Sequence, residues 1–312
     1  MLVKDPPVEL AEGLWMLGTS EYPLYVFRSG GEYTVFEGGI GASGSLLAEQ
    51  LAAMKIDGEQ VARIVVTHAH PDHVMAVPAF RKMFPKATVL ASEAAAKTLA
   101  VEKVVAFFAK MDQMLCASLT EHGLIREQCG TVAAVENRIV VDRPLHEGDV
   151  VEVGSGKAFE VLETPGHSDC SLSFFEPTAG ILVVSDATGY YMPQHDAWWP
   201  NYFTDYGRYV ESIQRLAGLK AEVLCLSHNG AVRGAEAVAA YFRGAVDATR
   251  RYHQRIVEAF RAGTPVREIS ETLGKEIHEK TPLMPLDFFQ KNCGLLIKLS
   301  LKHEGIEPEK AQ

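Results

Sequence analysis

The chain has 312 residues, of which 47% are hydrophobic and 22% charged. That composition supports a substantial core and excludes a disordered chain, a collagen-like repeat or a disulfide mini-protein. Thirty Lys and Arg against 40 Asp and Glu leave a net charge of −10, which argues against nucleic acid as a bulk partner because phosphate binding draws on clustered cations.

At roughly 150 residues per domain the length accommodates two units, or one large α/β domain with an appendage. The opening MLVKDPPVELAEGLW lacks a basic stretch leading into an apolar one, and no run approaches ~18 apolar residues. The expectation is a cytoplasmic protein that does not engage a membrane. The five cysteines, Cys116, Cys129, Cys170, Cys225 and Cys293, contain no CxxC pair, so neither a disulfide framework nor a zinc ribbon is indicated. Cys170 reads as a small buried apolar residue.

In chain order, VELAEGLWML, PLYVFRS and EYTVFEGG read as strands, the last two joined at Gly30 and Gly31 as a hairpin. SLLAEQLAAMK has helical period, and ARIVVTHAH reads as a buried strand. A helix (VPAFRKMF), a strand (ATVLASE) and a long helical stretch from Ala94 to about Glu121 follow. This last element, with residues up to about 135, reads as a helical insertion. From Arg138 to Asp186 strands return as RIVV, DVVEV, AFEVLETPGH, SLSFFE and GILVVSDA. Asp205 to Leu219 is helical, VLCLSHNG is a strand, and three helices follow from Ala235, broken at Gly263 to Pro265 and near Pro282 to Pro285. The expected domains are residues 1–232 and a C-terminal helical cap, 233–312.

The chemistry concentrates in THAHPDH, where His68, His70, Asp72 and His73 fall within six residues after an apolar strand. Alternate residues of an extended end face the same way, so His68 and His70 address one ion while the turn at Pro71 redirects Asp72 and His73 towards a second. His167 in TPGHS, Asp186 in VVSDA and His228 in CLSHN each follow a predicted strand, where α/β sheets assemble sites from distant residues. One division gives His68, His70 and His167 to one ion, Asp72, His73 and His228 to the other, with Asp186 between them.

These motifs, HxHxDH, TPGHS, strand-SD and strand-SH in this order, resemble the metallo-β-lactamase superfamily over roughly residues 8 to 232. The resemblance implies an αββα sandwich with a binuclear metal site at one edge. Asp186 follows Ser rather than the more usual Gly, and Asn229 stands where Gly is common after the last histidine. Without a signal peptide a periplasmic β-lactamase is disfavoured. Flavodiiron oxygen reductases place Glu where His70 stands, and RNA-processing members carry an inserted nuclease domain and a basic surface. Hydrolysis of thioesters, lactones or related esters remains.

VFEGGI, VLASEAA, ETPGHSDCSLSFFE and SDATG with YGRYVESIQRL are similar to the 2-aminobenzoylacetyl-CoA thioesterases of quinolone-signal biosynthesis. That likeness extends to the helical insertion and the C-terminal helices, which in that family cover the metal site. It implies that Leu286 to Leu299, with Phe288 and Phe289, overlie the ions. Tyr190 stands where that family has an acidic residue, so the substrate itself is not carried over.

The stretch from Gly189 to Phe203 holds Tyr190, Tyr191, Trp198, Trp199, Tyr202 and Phe203. Tyr190, Tyr191 and Trp198 are candidates to stack a planar acyl group, or alternatively to pack the loop against the cap. His195 reads as a loop histidine.

The expected reaction is attack on a thioester carbonyl by a hydroxide bridging two divalent ions, zinc, iron or manganese, with Asp72 and Asp186 as ligands and Asp72 orienting the nucleophile. The expected substrate is an acyl-CoA thioester, for whose phosphates Lys97, Lys103, Lys110 and Arg126 offer a local patch. A lactonase or other esterase on the same ions is one rival, with Tyr190 or Tyr191 serving a lactone. The other is a regulatory protein acting through its helical cap, and a homodimer is a further candidate assembly.

Overall fold

The computed structural model describes residues 1–126 and 137–307; Cys129 and residues 127–135 of the expected insertion lie outside them. The fold is an α/β sandwich built on two mixed seven-stranded sheets. Two compact units divide the chain. The first comprises Met1–Glu163, Cys170–Ser185 and Ala221–Val238, and the second Thr164–Asp169, Asp186–Lys220 and the chain from Ala239.

In the first unit, strand β1 (Leu2–Val3) precedes an N-terminal meander of β2 (Val8–Ala11), β3 (Leu14–Gly18), β4 (Pro23–Ser29) and β5 (Glu32–Phe36). Helix α1 (Ser43–Ala53), β6 (Val61–Val65), α2 (Val77–Met83) and β7 (Thr88–Ser92) follow. The insertion contributes α3 (Glu93–Leu99) and α4 (Glu102–Glu121), after which β8 (Arg143–Leu145) closes the first sheet. Its order is β2-β3-β4-β5-β6-β7-β8, antiparallel to β5 and parallel beyond. The change of direction follows from α1 and α2, because parallel neighbours require a crossover connection.

The second sheet contains β9 (Val150–Gly154), β10 (Lys157–Glu163), β11 (Leu172–Glu176) and β12 (Ile181–Val183). It is completed by β15 (Val223–Cys225) and β16 (Ala231–Arg233), in the order β1-β16-β15-β12-β11-β10-β9. Only β12 and β15 pair in parallel there, Leu182 opposite Leu224.

Alternation along each strand sorts the apolar residues into two cores. Phe36, Val65 and Leu90 meet Phe159, Phe174 and Cys225 between the sheets. Val35, Ile64 and Val89 turn outward and pack on Leu47, Phe80, Leu99 and Val105 of the flanking helices. The consecutive apolar residues Val35–Phe36, Ile64–Val65 and Val89–Ala91 follow from this burial on both faces. Between the sheets the Phe36 and Phe159 rings lie 4.7 Å apart and those of Phe27 and Phe159 5.4 Å apart, contacts that add about 0.5–1.5 kcal/mol each beyond buried area.

The second unit holds a hairpin of β13 (Tyr190–Met192) and β14 (Ala197–Trp199), then α5 (Tyr206–Gly218), whose N-cap Asp205 accepts from the Arg208 backbone N–H. Helix α6 (Ala235–Arg261), which begins in the first unit, leads to α7 (Val266–Lys280) and α8 (Leu286–His303), broken where Gly263, Pro265 and Pro282 to Pro285 predict.

Four elements differ from the sequence reading. VELAEGLWML is two strands, because Gly13 adopts φ +77° and turns the chain. The stretch from Ala94 to Glu121 breaks at Val101, which is extended while the Leu99 carbonyl accepts from Ile139 N–H. RIVV is not a strand; the pairing falls instead on Arg143–Leu145. The aromatic stretch is a hairpin with Tyr190 opposite Trp199 and Tyr191 opposite Trp198, cross-strand aromatic pairs being favourable.

Helix α4 buries a carboxyl group. Asp112 Oδ1 accepts from the Gly41 N–H at 2.8 Å and lies 3.7 Å from Cys116 Sγ. Burial pushes its pKa from 3.8 up to about 6, against the pull of those two donors. The folded state therefore binds this proton more tightly than the unfolded chain, so its contribution is full below pH 3.8 and lost by about pH 6. The loss amounts to roughly 3 kcal/mol for a shift of about two units. Asp112→Asn should remove it: in urea titrations at pH 4 and 7, wild type should lose stability relative to the variant by about that amount. An equal change in both proteins would contradict the assignment.

Candidate metal centre

The first unit brings five of the predicted ligands to the ends of β6 and β15. His68 lies three residues beyond Val65, and the single helical turn Pro71–His73 carries Asp72 and His73. The His68 and His70 ring centroids are 4.7 Å apart, those of His68 and His73 4.1 Å, and those of His73 and His228 5.0 Å. Asp72 Oδ2 stands 3.4 Å from His73 Nε2 and 3.6 Å from His228 Nε2. Asp72, His73 and His228 thus offer three donor atoms within 4.8 Å of one another.

Three of these rings are oriented by their other nitrogen. His73 Nδ1 meets Glu37 Oε2 at 3.1 Å, and His228 Nδ1 meets the Glu21 carbonyl at 3.1 Å. His68 Nδ1 lies 3.2 Å from Thr67 Oγ1, which donates to Glu37 Oε1 at 2.7 Å. A carbonyl only accepts, so His228 carries a proton on Nδ1 and turns Nε2 towards Asp72. Such partners fix tautomer and ring angle in metal-binding histidines.

The backbone beneath is equally constrained. Glu37 sits at φ +79°, a left-handed conformation unusual for Glu, and cost of this kind concentrates at functional sites. The Gly38 N–H donates to the His73 carbonyl, and a Cβ added at Gly38 would come within 2.5 Å of that oxygen. On the other strand end, the Tyr25 hydroxyl lies 2.6 Å from the Leu226 carbonyl and 2.8 Å from that of Gly230, bracketing the loop that carries His228. Asn229 has φ +61°, a region that Asn tolerates better than other side chains with a Cβ; this explains why it can replace the usual Gly.

The second unit holds His167 and Asp186, with His167 Nε2 3.7 Å from Asp186 Oδ2. His167 Nδ1 donates to the Asn201 carbonyl at 2.7 Å, and Asn201 Nδ2 donates to Asp186 Oδ2 at 3.0 Å. Gly166 is required by a close approach: at φ +121° a Cβ there would lie 2.3 Å from Tyr209 Cα.

His73 is fully buried, which opposes its charge, yet the carboxylates of Asp72 and Glu37 outweigh burial and hold its pKa well above the usual value. The surroundings therefore stabilise positive charge at this nitrogen, whether a proton or a cation supplies it. Imidazole and carboxylate donors with oriented partners fit a divalent ion such as zinc, iron or manganese.

The other candidates fall as follows. Tyr190, Tyr191 and Trp198 are half-buried, and the Tyr191 hydroxyl donates to Asp196. The Tyr191 and Trp198 rings lie 4.4 Å apart with their planes inclined by 38°, each 5.5 Å from Tyr241 of α6. Phe289 is buried between Trp199 and Phe288, with centroids 5.4 and 5.3 Å away, whereas Leu286 is exposed. His195 lies exposed at the hairpin tip. Of the basic residues, Lys97 pairs with Glu93 at 3.0 Å and Arg126 pairs with Glu49. Cys170 is buried and its Sγ accepts from the Ala69 N–H. Among the described residues no helix is long and apolar enough to cross a membrane. Glu37, Tyr25 and Asn201 escaped sequence reasoning; the only signal for Glu37 was an acidic residue closing an apolar strand ahead of two glycines.

The family model described as the metallo-beta-lactamase superfamily matches residues 23–228, and the chain belongs to that superfamily. A metallo-beta-lactamase family protein from Thermus thermophilus has the same fold, with a TM-score of 0.64 and 22% identity over 95% of each chain. A metallo-beta-lactamase from Cronobacter sakazakii superposes with a TM-score of 0.57 and 17% identity, covering 82% of this chain and 95% of its own. A hydroxyacylglutathione hydrolase from Chelativorans sp. (strain BNC1) is 46% identical over 46 residues, which is 15% of this chain and 18% of that relative.

Replacing Glu37 with Gln keeps the size of the side chain but removes the charge facing His73. Ion affinity, read by chelator competition, should fall by roughly 10–100-fold, as for other partners of ligating histidines. Unchanged affinity would mean that Glu37 shapes the loop without tuning the ligand.

Proposed function

We propose that the protein is a binuclear metal-dependent hydrolase that cleaves an acyl-CoA thioester, with His68, His70, Asp72, His73, His167, Asp186 and His228 as one ligand set. The observation that carries this reading is the Asp72–His73–His228 cluster, whose Nδ1 atoms are committed to Glu37 and Glu21 so that Nε2 faces Asp72. Superfamily membership supplies the expectation that His167 and Asp186 complete the set. When bound, two divalent cations supply a water nucleophile at neutral pH and polarise a carbonyl oxygen.

The residues of the chain do the remainder. Asp72 orients the nucleophile through whichever carboxylate oxygen is not ligating, and Glu37 keeps His73 in its ligating tautomer. A thiolate leaves without strong general acid help, which suits a site whose carboxylates serve as ligands. The hydroxyacylglutathione hydrolase among its relatives supports a sulfur leaving group, since its named substrate carries its acyl group on glutathione. The aromatic pairs of β13 and β14 favour a planar or β-keto acyl group. Cytoplasmic location and a cap formed by the C-terminal helices belong to the same proposal.

Protein purified without added metal should contain two ions per chain. Among benzoyl-type, β-ketoacyl and short aliphatic CoA esters, homoserine lactones and a chromogenic β-lactam, a CoA ester should give the highest kcat/KM. A lactone preferred by tenfold, about 1.4 kcal/mol in transition-state binding, would reassign the enzyme as a lactonase. Asp186→Ala should lower kcat/KM by ~10³ or more, about 4 kcal/mol; retained activity would remove Asp186 from the ligand set.

A further inference from the structure

Within the second unit, His167 and Asp186 share one neighbour. Asn201 is buried, accepts from His167 Nδ1 through its backbone carbonyl at 2.7 Å, and donates from Nδ2 to Asp186 Oδ2 at 3.0 Å. The first contact places a proton on Nδ1, because a carbonyl cannot donate, and turns Nε2 towards Asp186. The second contact commits one lone pair of Oδ2 and fixes the plane of the carboxylate.

A third contact holds Asn201 in place. An amide can present oxygen or nitrogen to a carboxylate, and only the nitrogen is attractive. The Asp186 carboxylate therefore takes Nδ2, and the Tyr209 hydroxyl donates to Asn201 Oδ1 at 3.1 Å and holds the amide from its other end. Tyr209 is fully buried on α5, and burial holds its hydroxyl well above the usual tyrosine pKa, so it remains a donor. Its backbone in turn lies against Gly166, the residue before His167, at the close approach that excludes a Cβ. The Gly166 carbonyl accepts from the Thr204 and Asp205 N–H groups, and the Pro165 carbonyl from Ser212. One short stretch of chain therefore fastens the histidine loop and the aspartate to the same helix.

We propose that Asn201, locked by Tyr209, is the positioning residue that sets His167 and Asp186 as metal ligands. This rests on the reading of those two residues as ligands. In no step does Asn201 touch substrate; it acts by holding the Asp186 carboxylate in one rotamer and one orientation. Leucine at 201 preserves the size of the side chain and the backbone carbonyl that serves His167, and removes only the amide contacts. Phenylalanine at 209 removes one oxygen and keeps the ring.

The test is metal binding by full-length protein, titrated with zinc against a chromophoric chelator, for wild type, Asn201→Leu, Tyr209→Phe and the double variant. Wild type should bind two ions. Asn201→Leu should release one of them roughly 10–100-fold more readily, and Tyr209→Phe should weaken the same ion by a smaller factor. The double variant should be no weaker than Asn201→Leu, since the tyrosine acts only through the amide. Melting of the chelator-treated forms reports folding separately, and Tyr209→Phe carries the test if Asn201→Leu does not fold. Two ions bound equally tightly by wild type and both single variants would overturn the positioning role while leaving the ligand set intact. Additive losses in the double variant would overturn the lock. Fewer than two ions in wild type would overturn the ligand set and this proposal together.

Discussion

Four oxygen atoms set the orientation of four proposed ligating imidazoles, three in the first unit and one in the second. Glu37 Oε2, the Glu21 carbonyl, Thr67 Oγ1 and the Asn201 carbonyl each occupy the Nδ1 side of a histidine. Three of the four positions follow from backbone geometry, since a main-chain carbonyl or a residue beside its own ligand cannot move without moving the main chain. Glu37 is the exception and is also the most costly, a buried carboxylate on a left-handed backbone. Its position is sustained from both sides, by Thr67 at the end of β6 and by Gly38 beneath the His73 loop. The two β-sheets supply the rigidity that makes such cost sustainable, because the interlocked Phe27, Phe36, Phe159 and Phe174 rings resist relative displacement.

Most strands and helices were legible because their signals are local. The apolar runs of β4 to β7, the Gly30–Gly31 turn and the Asp205 cap each declare themselves within a few residues. What escaped was decided at a distance. Val101 breaks the inserted helix because Ile139 reaches the Leu99 carbonyl, a contact spanning 40 residues. The strands β1 and β16 are two and three residues long; β1 pairs with β16 alone, and β16 lies between β1 and β15. RIVV has strand composition, yet Ile139 enters the core without a ladder.

The same division separates the ligands from their supports. His68, His70, Asp72 and His73 announce themselves by crowding, and His167, Asp186 and His228 by following strands. Their partners carry no such mark. Glutamate after an apolar strand, asparagine after a proline and tyrosine in the first turn of an amphipathic helix are ordinary residues, and only the folded chain gives them a task. The aromatic stretch after Asp186 was conspicuous in composition, but its arrangement as Tyr190 opposite Trp199 and Tyr191 opposite Trp198 depended on the turn at Asp196.

The pairing of Leu2 with Val232 bears on how the molecule comes into being during synthesis. The second sheet cannot close its edge until more than two hundred residues separate its partners in sequence, and contacts of such separation form late. His228 lies between β15 and β16, in the loop that Tyr25 brackets from the first sheet. A nascent chain therefore displays His68 to His73 well before the residue that completes their cluster has emerged. During that interval the imidazoles belong to an unfinished surface, and the grouping of Asp72, His73 and His228 arrives only with the loop between β15 and β16.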